Sequence, residues 1–260
     1  MEELKQLQLE LLDTVAEFCK KNGIRYWLDF GTLLGAIRHG GYIPWDDDID
    51  LGMPRSDYEQ FIRSFNVPGA RYQVRCIEND KTFYYPYAKV LDSKTVLFEP
   101  DENGIKLSVN IDIFPYDNAP DSEQARKCWH TRAAVFYYCN ILRNMNSKPS
   151  GGAARRLLIR MLRLLLKPFP KDFFCVKQVE NAEMYRDHET GEVCEISYPC
   201  PTAIILSLPD PFTECEFEGK RYQIPESYDE WLTAVYGDYM RLPPAEQRQS
   251  HHKFVAYAEE

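Results

Sequence analysis

The chain has 260 residues, 44% of them hydrophobic, and no long polar tract, so it can bury a core as one large domain or as one domain with an appendage. With 40 acidic and 31 basic residues its formal charge is -9, which sets like charge against any nucleic acid and excludes nucleic acid as a main partner. Its eight cysteines form no CxxC pair, and the first residues are charged and amphipathic instead of resembling a signal peptide, so a reducing, cytoplasmic setting is expected.

Cys194, Cys200 and Cys215 match no common zinc spacing, and the thiols read as buried or half-buried small hydrophobes. Leu4, Leu7, Leu11, Leu12, Val15 and Phe18 recur at helical spacing, and Asn22-Gly23 ends that run as a helix cap would. The aromatic stretch Ile24 to Phe30 predicts a strand, Gly31 a turn, and Thr32 to His39 a helix. Gly40-Gly41 and Pro44 turn the chain into Asp46-Asp47-Asp48-Ile49-Asp50, which the alternation Ile49-Leu51-Met53 carries into a second strand.

Ser56 to Phe65 predicts a short helix opened by a serine cap, and strands are predicted over Tyr72 to Ile77, Tyr84 to Leu91 and Leu107 to Phe114. Short connections favour antiparallel pairing among them. Asp121 to Asn144 is helical, the stretch from Lys148 to Gly152 is a linker, and a helix is expected around Asp172 to Thr190. Phe217-Glu218-Gly219-Lys220 reads as a hairpin turn, and Tyr228 to Tyr236 as a helix capped by Gly237. The resulting fold class is α+β (mixed α/β), a small mixed sheet flanked by helices with a helical insertion. Residues 1–147 would form the core, 148–171 a basic amphipathic segment, and 172–260 a C-terminal part completing the same domain.

The chemistry rests on three elements. On a strand, residues two apart share a face, so Asp48 and Asp50 would present two carboxylates together with Ile49 behind them. A set of hard oxygen donors without histidine or cysteine favours Mg2+, or Mn2+. Ser108 to Phe114 alternates so that Val109, Ile111 and Ile113 face one way and Asn110 and Asp112 the other, and Asp112 completes a triad of acids if its strand lies beside the first. At Phe30-Gly31-Thr32 a strand turns at glycine into a helix, whose first amides suit a phosphate that glycine lets approach.

An isolated acidic run is more often a solvated loop, but the calcium-loop reading fails here because Leu51 stands where a glycine is required. The three elements together point to phosphoryl or nucleotidyl transfer.

The block from Tyr26-Trp27-Leu28-Asp29-Phe30-Gly31-Thr32-Leu33-Leu34-Gly35 through Trp45-Asp46-Asp47-Asp48-Ile49-Asp50-Leu51-Gly52 resembles the signature of the LicD family of phosphocholine transferases. The likeness extends to the fukutin group and continues at Ile111-Asp112-Ile113-Phe114-Pro115, Tyr236-Gly237-Asp238-Tyr239-Met240, Leu242-Pro243-Pro244 and His251. It implies a nucleotidyltransferase-like fold and transfer of a phosphate-bearing group from a CDP-linked donor, typically CDP-choline, to a glycan or glycolipid acceptor. By position it makes Gly31 and Thr32 the phosphate-binding turn, Asp48 and Asp50 the metal-binding acids, and Asp112 the third acid, with Asp46 a weaker member of the cluster.

Arg38 and Lys89 are further phosphate-contact candidates, each also readable as a surface cation. A quaternary ammonium calls for aromatic faces, and Tyr42, Trp45, Tyr84, Tyr85 and Tyr87 lie near the motifs, with Trp45 and Tyr85 assigned to the substrate. Aromatic core packing accounts for such residues equally well. His251 and His252 stay outside the catalytic set.

Residues 153–171 carry six basic residues and no acidic one. Arg156, Arg160, Arg163 and Lys167 share a narrow arc of the predicted helix and leucines cover the rest, which suits either an anionic membrane surface or a core helix with one solvated edge. Two rival functions stay open: the same fold moving glycerol phosphate, ribitol phosphate, phosphoethanolamine or a nucleotide, and a non-catalytic metal-binding interaction module.

Overall fold

The computed structural model describes residues 2–98, 108–144, 151–188, 190–198, 206–208, 211–248 and 255–258. Seven helices and eleven strands are seen among them. In chain order they are α1 (Glu2–Asn22), β1 (Trp27–Leu28), α2 (Phe30–His39), β2 (Asp50–Pro54), α3 (Arg55–Ser64), β3 (Tyr72–Arg75), β4 (Ala88–Asp92), β5 (Thr95–Phe98) and β6 (Asn110–Asn118). There follow α4 (Glu123–Asn144), α5 (Ala153–Leu166), α6 (Phe173–Ala182), β7 (Glu192–Cys194), β8 (Leu206–Ser207), β9 (Phe212–Phe217), β10 (Lys220–Pro225), α7 (Tyr228–Tyr236) and β11 (Val255–Ala258).

The main sheet runs β1-β2-β6-β4-β3, with β7 and β8 continuing from the far end of β6. Hairpin β9-β10 and the pair β5-β11 form two smaller ribbons, so the class is α+β. The sheet departs from the antiparallel expectation at one place: β2 and β6 are parallel. The reason is connectivity, since α3, β3, β4 and β5 lie between the two strands and give the chain room to return to the starting end.

α1 lays Leu4, Leu11, Leu12, Val15 and Cys19 on the core beside Ile49, Leu51, Val90, Ile111 and Ile113 of the sheet. Gly23, at φ +66, ends it in the left-handed conformation that glycine adopts without steric cost. Trp27 belongs to a second cluster with Tyr87, Phe114, Tyr116 and Trp231 on the opposite face. Strand Ile24 to Phe30 shrinks to Trp27–Leu28, because the helix begins at Phe30, two residues before the expected start at Thr32. Helix α3 is preceded by Pro54 with no side-chain cap, and Ser56 instead bonds Asp57 at 3.3 Å. The predicted Asp172 to Thr190 helix is shorter, α6 followed by a 3₁₀ turn at Glu183–Tyr185.

The hairpin turn at Glu218-Gly219 has both φ angles positive, +51 and +77, the arrangement of the tight two-residue turn that matches strand twist. Its tip reaches back to the turn after α2: Glu218 N donates to Gly40 O at 3.0 Å, and the Glu218 carboxylate accepts from Tyr42 N at 3.0 Å. The C-terminal hairpin thus braces the approach to the acidic segment.

Candidate active site

Parallel pairing of β2 with β6 sets Asp50 opposite Asp112. Side chains paired in register leave a sheet on the same side, so the two carboxylates project as neighbours. The pairing continues one step earlier, where Asp112 N donates to Ile49 O at 2.9 Å. Asp48 is not on the strand, as expected from alternation, but in the irregular segment that feeds it. Its charge still acts on Asp50.

Burial pushes the Asp50 carboxyl well above the usual range, and the charges of Asp48, Asp112, Asp29 and Asp46 push it further. Asp46 is raised too, first by burial, although a hydrogen bond with Asp48 opposes the shift. Asp46 also explains Gly31: a Cβ at that position would stand 2.6 Å from Asp46 Oδ2. The close approach that glycine permits here is therefore made by a carboxylate of the chain itself.

Asp29 holds the start of α2. Its side chain accepts from Phe30 N at 2.9 Å and from the Tyr116 hydroxyl at 2.7 Å, and its backbone N donates to Asp50 O at 2.9 Å. Burial raises its carboxyl to about 7, against the pull of those hydrogen bonds. Phe30 follows at φ +40, a left-handed conformation that costs a non-glycine residue roughly 1 kcal/mol or more. Thr32 is buried, and its hydroxyl accepts from Asp50 N at 2.9 Å, so it tethers α2 to β2.

Lys89 sits opposite Asp112 across the β4–β6 pair. Its ammonium donates to both Asp112 oxygens, at 2.6 and 2.8 Å, and to Asn110 Oδ1 at 3.2 Å. The same ammonium lies 5.4 and 5.5 Å from the ring centroids of Tyr85 and Tyr87. From there an aromatic wall continues. Tyr87 packs on Phe114 at 4.6 Å, Phe114 on Phe30 at 5.2 Å, and the Tyr87 and Tyr198 hydroxyls share a hydrogen bond of 2.8 Å. Tyr198 is 43% exposed, and its hydroxyl is raised by burial and then by Asp112.

At the end of α7, burial raises the Tyr236 hydroxyl and the charges of Asp50, Asp29, Asp46 and Asp48 raise it further, so it shares their electrostatic surroundings. Arg38 lies on the last turn of α2, away from Gly31, and donates to Tyr239 O at 2.7 Å. Trp45 is half-buried between His39, at 6.4 Å, and Arg248, whose guanidinium lies 5.6 Å from its ring. Tyr42 is a core residue against Phe217, and Tyr84 stacks near Lys171. His251 and His252 lie outside the described residues.

The structure thus gathers Asp48, Asp50, Asp112, Gly31, Thr32, Lys89 and Tyr85, while Arg38, on the last turn of α2, interacts with Tyr236 and Tyr239, and Trp45, directly before Asp46, packs on His39. It adds Asp29, Phe114, Tyr198 and Tyr236. Asp29 was detectable as an acid directly before an apolar helical run, and Phe114 as the next residue on the face of Asp112. Nothing local marks Tyr198, which comes from a distant segment.

As a metal centre the cluster offers only oxygen donors, the chemistry that suits Mg2+ or Mn2+, and like charges that a divalent cation would relieve. Among the described residues no three Asp, Glu, His or Cys side chains are already drawn into a cage. Lys89 keeps Asp112 engaged instead.

Comparison with known proteins gives this geometry a context. The family model described as LicD/FKTN/FKRP, nucleotidyltransferase domain, matches residues 23–152. The chain is 30% identical to the lipopolysaccharide cholinephosphotransferase LicD of Haemophilus influenzae, over 96% of this chain and 94% of that protein. It is 63% identical over 35 residues to the human ribitol 5-phosphate transferase FKRP, which covers 14% of this chain and 7% of that one. It is also 32% identical to the mouse ribitol-5-phosphate transferase FKTN, over 42% of this chain and 21% of that protein.

Proposed function

The chain belongs to the LicD/FKTN/FKRP nucleotidyltransferase-domain family and is a phosphotransferase, and from that premise we propose that it transfers phosphocholine from CDP-choline to a hydroxyl of a cell-surface glycan or glycolipid precursor, releasing CMP. The observation that carries this reading is the juxtaposition of Asp50 and Asp112 beside the aromatic wall of Phe30, Tyr85, Tyr87, Phe114 and Tyr198. Paired carboxylates suit a metal-bound diphosphate, and aromatic faces suit a quaternary ammonium.

Asp48, Asp50 and Asp112 would hold Mg2+ or Mn2+, whose charge would neutralise the diphosphate and the developing negative charge at phosphorus. The chain's own residues do the positioning. Asp29 and Thr32 fix the backbone of Asp50, and Lys89 orients Asp112. Tyr198 and Tyr85 offer their ring surfaces to the trimethylammonium group. Where Asp112 is not itself a metal ligand, it accepts the proton of the acceptor hydroxyl as that hydroxyl's oxygen bonds to the choline-side phosphorus. The bond from that phosphorus to the bridging oxygen breaks, and CMP leaves with the electron pair.

No helix among the described residues is long and apolar enough to cross a membrane, and the described cysteines carry no disulfide. Incubation of the chain with Mg2+ and a panel of CDP- and UDP-linked donors, following nucleoside monophosphate release, tests the reading. CDP-choline should be the preferred donor. Preference for CDP-ribitol, CDP-glycerol or CDP-ethanolamine would reassign the cargo within the family.

A further inference from the structure

Among the described helices, α5 is the most lopsided. Ile159, Leu162 and Leu166, at positions i, i+3 and i+7, are half-buried on the side toward α4. Leu157, Leu158, Met161, Leu164 and Leu165 point the other way, each 55 to 69% exposed, and no residue of the helix is fully buried. Arg156, Arg160 and Lys167, all exposed, run at i, i+4 and i+11 along one border of that apolar face, and Arg163 between them is half-buried on the packed side.

The orientation is fixed from the body of the protein. Arg143 Nε donates to Phe169 O at 2.8 Å and Asn144 Nδ2 to Lys171 O at 2.9 Å, tying the segment after α5 to the end of α4. Phe169 packs on Phe173 and Phe174 at 4.9 and 5.1 Å, which ties it to α6 as well. The leucines therefore face outward because their neighbours on the helix are already spoken for.

We propose that this face docks on a bilayer surface rich in anionic phospholipid headgroups, with the five apolar side chains below the headgroups and the basic border among the phosphates. Charge complementarity selects this occupant. The six cations of residues 153–171 are opposed by no acid within the stretch, whereas the other 25 basic residues of the chain share the remainder with all 40 acidic ones. An anionic surface attracts α5 and repels the rest of the protein, which sets the orientation as well as the attachment. A second copy of the chain would instead bring one row of exposed cations, Arg156, Arg160 and Lys167, toward another.

The test is flotation of the full chain with vesicles of phosphatidylcholine alone or mixed equally with phosphatidylglycerol, at low and high salt. The chain should float with the mixed vesicles at low salt, about tenfold more weakly with the zwitterionic ones, and lose binding as salt rises. Leu157→Ser, Met161→Ser and Leu164→Ser together should lower the bound fraction by roughly tenfold, as should Arg156→Gln, Arg160→Gln and Lys167→Gln together. All six side chains lie outside the core, and an unchanged urea midpoint certifies the fold of both variants. Failure to float with anionic vesicles at low salt overturns the proposal, as does undiminished binding of the serine variant. So does a vesicle-free dimer that the serine substitutions dissociate. Binding is read without donor or acceptor, so the result is independent of which phosphate-bearing group the site transfers.

Discussion

The Lys89 ammonium spans both carboxylate oxygens of Asp112, at 2.6 and 2.8 Å, while the strand on the other side of Asp112 presents Asp50 in register. One carboxylate is thereby neutralised by a neighbour in the sheet, and the other is left among like charges. The central strand of the site carries a cation partner on one flank and a crowd of acids on the other. That asymmetry separates the roles of the two aspartates.

Asp50→Asn and Asp112→Asn should each lower CMP release by about a thousandfold with the fold retained. In EDTA, Asp50→Asn should be at least as stable to urea as the parent, because one of the crowded carboxylates has lost its charge. Mg2+ should raise the Tm of the parent and not of that variant. A normal Mg2+-induced shift in Asp50→Asn would remove Asp50 from the metal set.

The aromatic wall predicts a cargo-specific effect. Tyr198→Ala should raise KM for CDP-choline about fivefold, since a cation on an aromatic face gains roughly 1 kcal/mol. The KM for CDP-glycerol, which lacks the cation, should move little. An equal rise for both donors would show that Tyr198 shapes the cleft without contacting the choline head.

Gly52 is placed under the indole of Trp27, its partner across β1–β2, and a Cβ there would stand 2.3 Å from Trp27 Cε2. Trp27 cannot retreat easily, being enclosed by Tyr116, Phe212 and Trp231 at 5.0, 6.0 and 5.3 Å. Gly52→Ala should therefore cost about 2 to 3 kcal/mol in urea unfolding. Combining it with Trp27→Leu should cost less than the two separate losses added together, and strict additivity would show that the ring and the glycine do not compete for space.

Burial holds the Glu195 carboxyl at about 7, with the charges of Asp29 and Asp117 adding to the rise and hydrogen bonds from Ser197 opposing it. The folded state thus binds this proton more tightly than the unfolded chain, whose value is about 4.5. Stability should fall as pH rises from about 5 to 8, by at most about 3 kcal/mol from this group and less for the solvent that reaches a partly buried residue. Glu195→Gln keeps an acceptor for Ser197 and should flatten the slope, leaving the part due to Asp29, which is also raised to about 7. Urea midpoints at pH 5, 6.5 and 8 decide it, and identical slopes would exclude Glu195 as a contributor.

Local rules within the sequence determined α1, α7, the Glu218-Gly219 hairpin, the acidic approach to β2 and the alternation that turns Asp112 away from Ile111 and Ile113. They also marked the basic border of α5. Such features depend on helical and strand periods and on turn chemistry, all of which act over a few residues. Only the tertiary structure decided that β2 and β6 are parallel neighbours, that Lys89 closes on Asp112, and that rings from positions 30, 85, 87, 114 and 198 meet in one wall. A period of two fixes the face of a strand without naming the strand beside it. The same reason hid the outward turn of the α5 leucines, since an amphipathic pattern gives two sides and the packing against α4 selects which one the protein keeps.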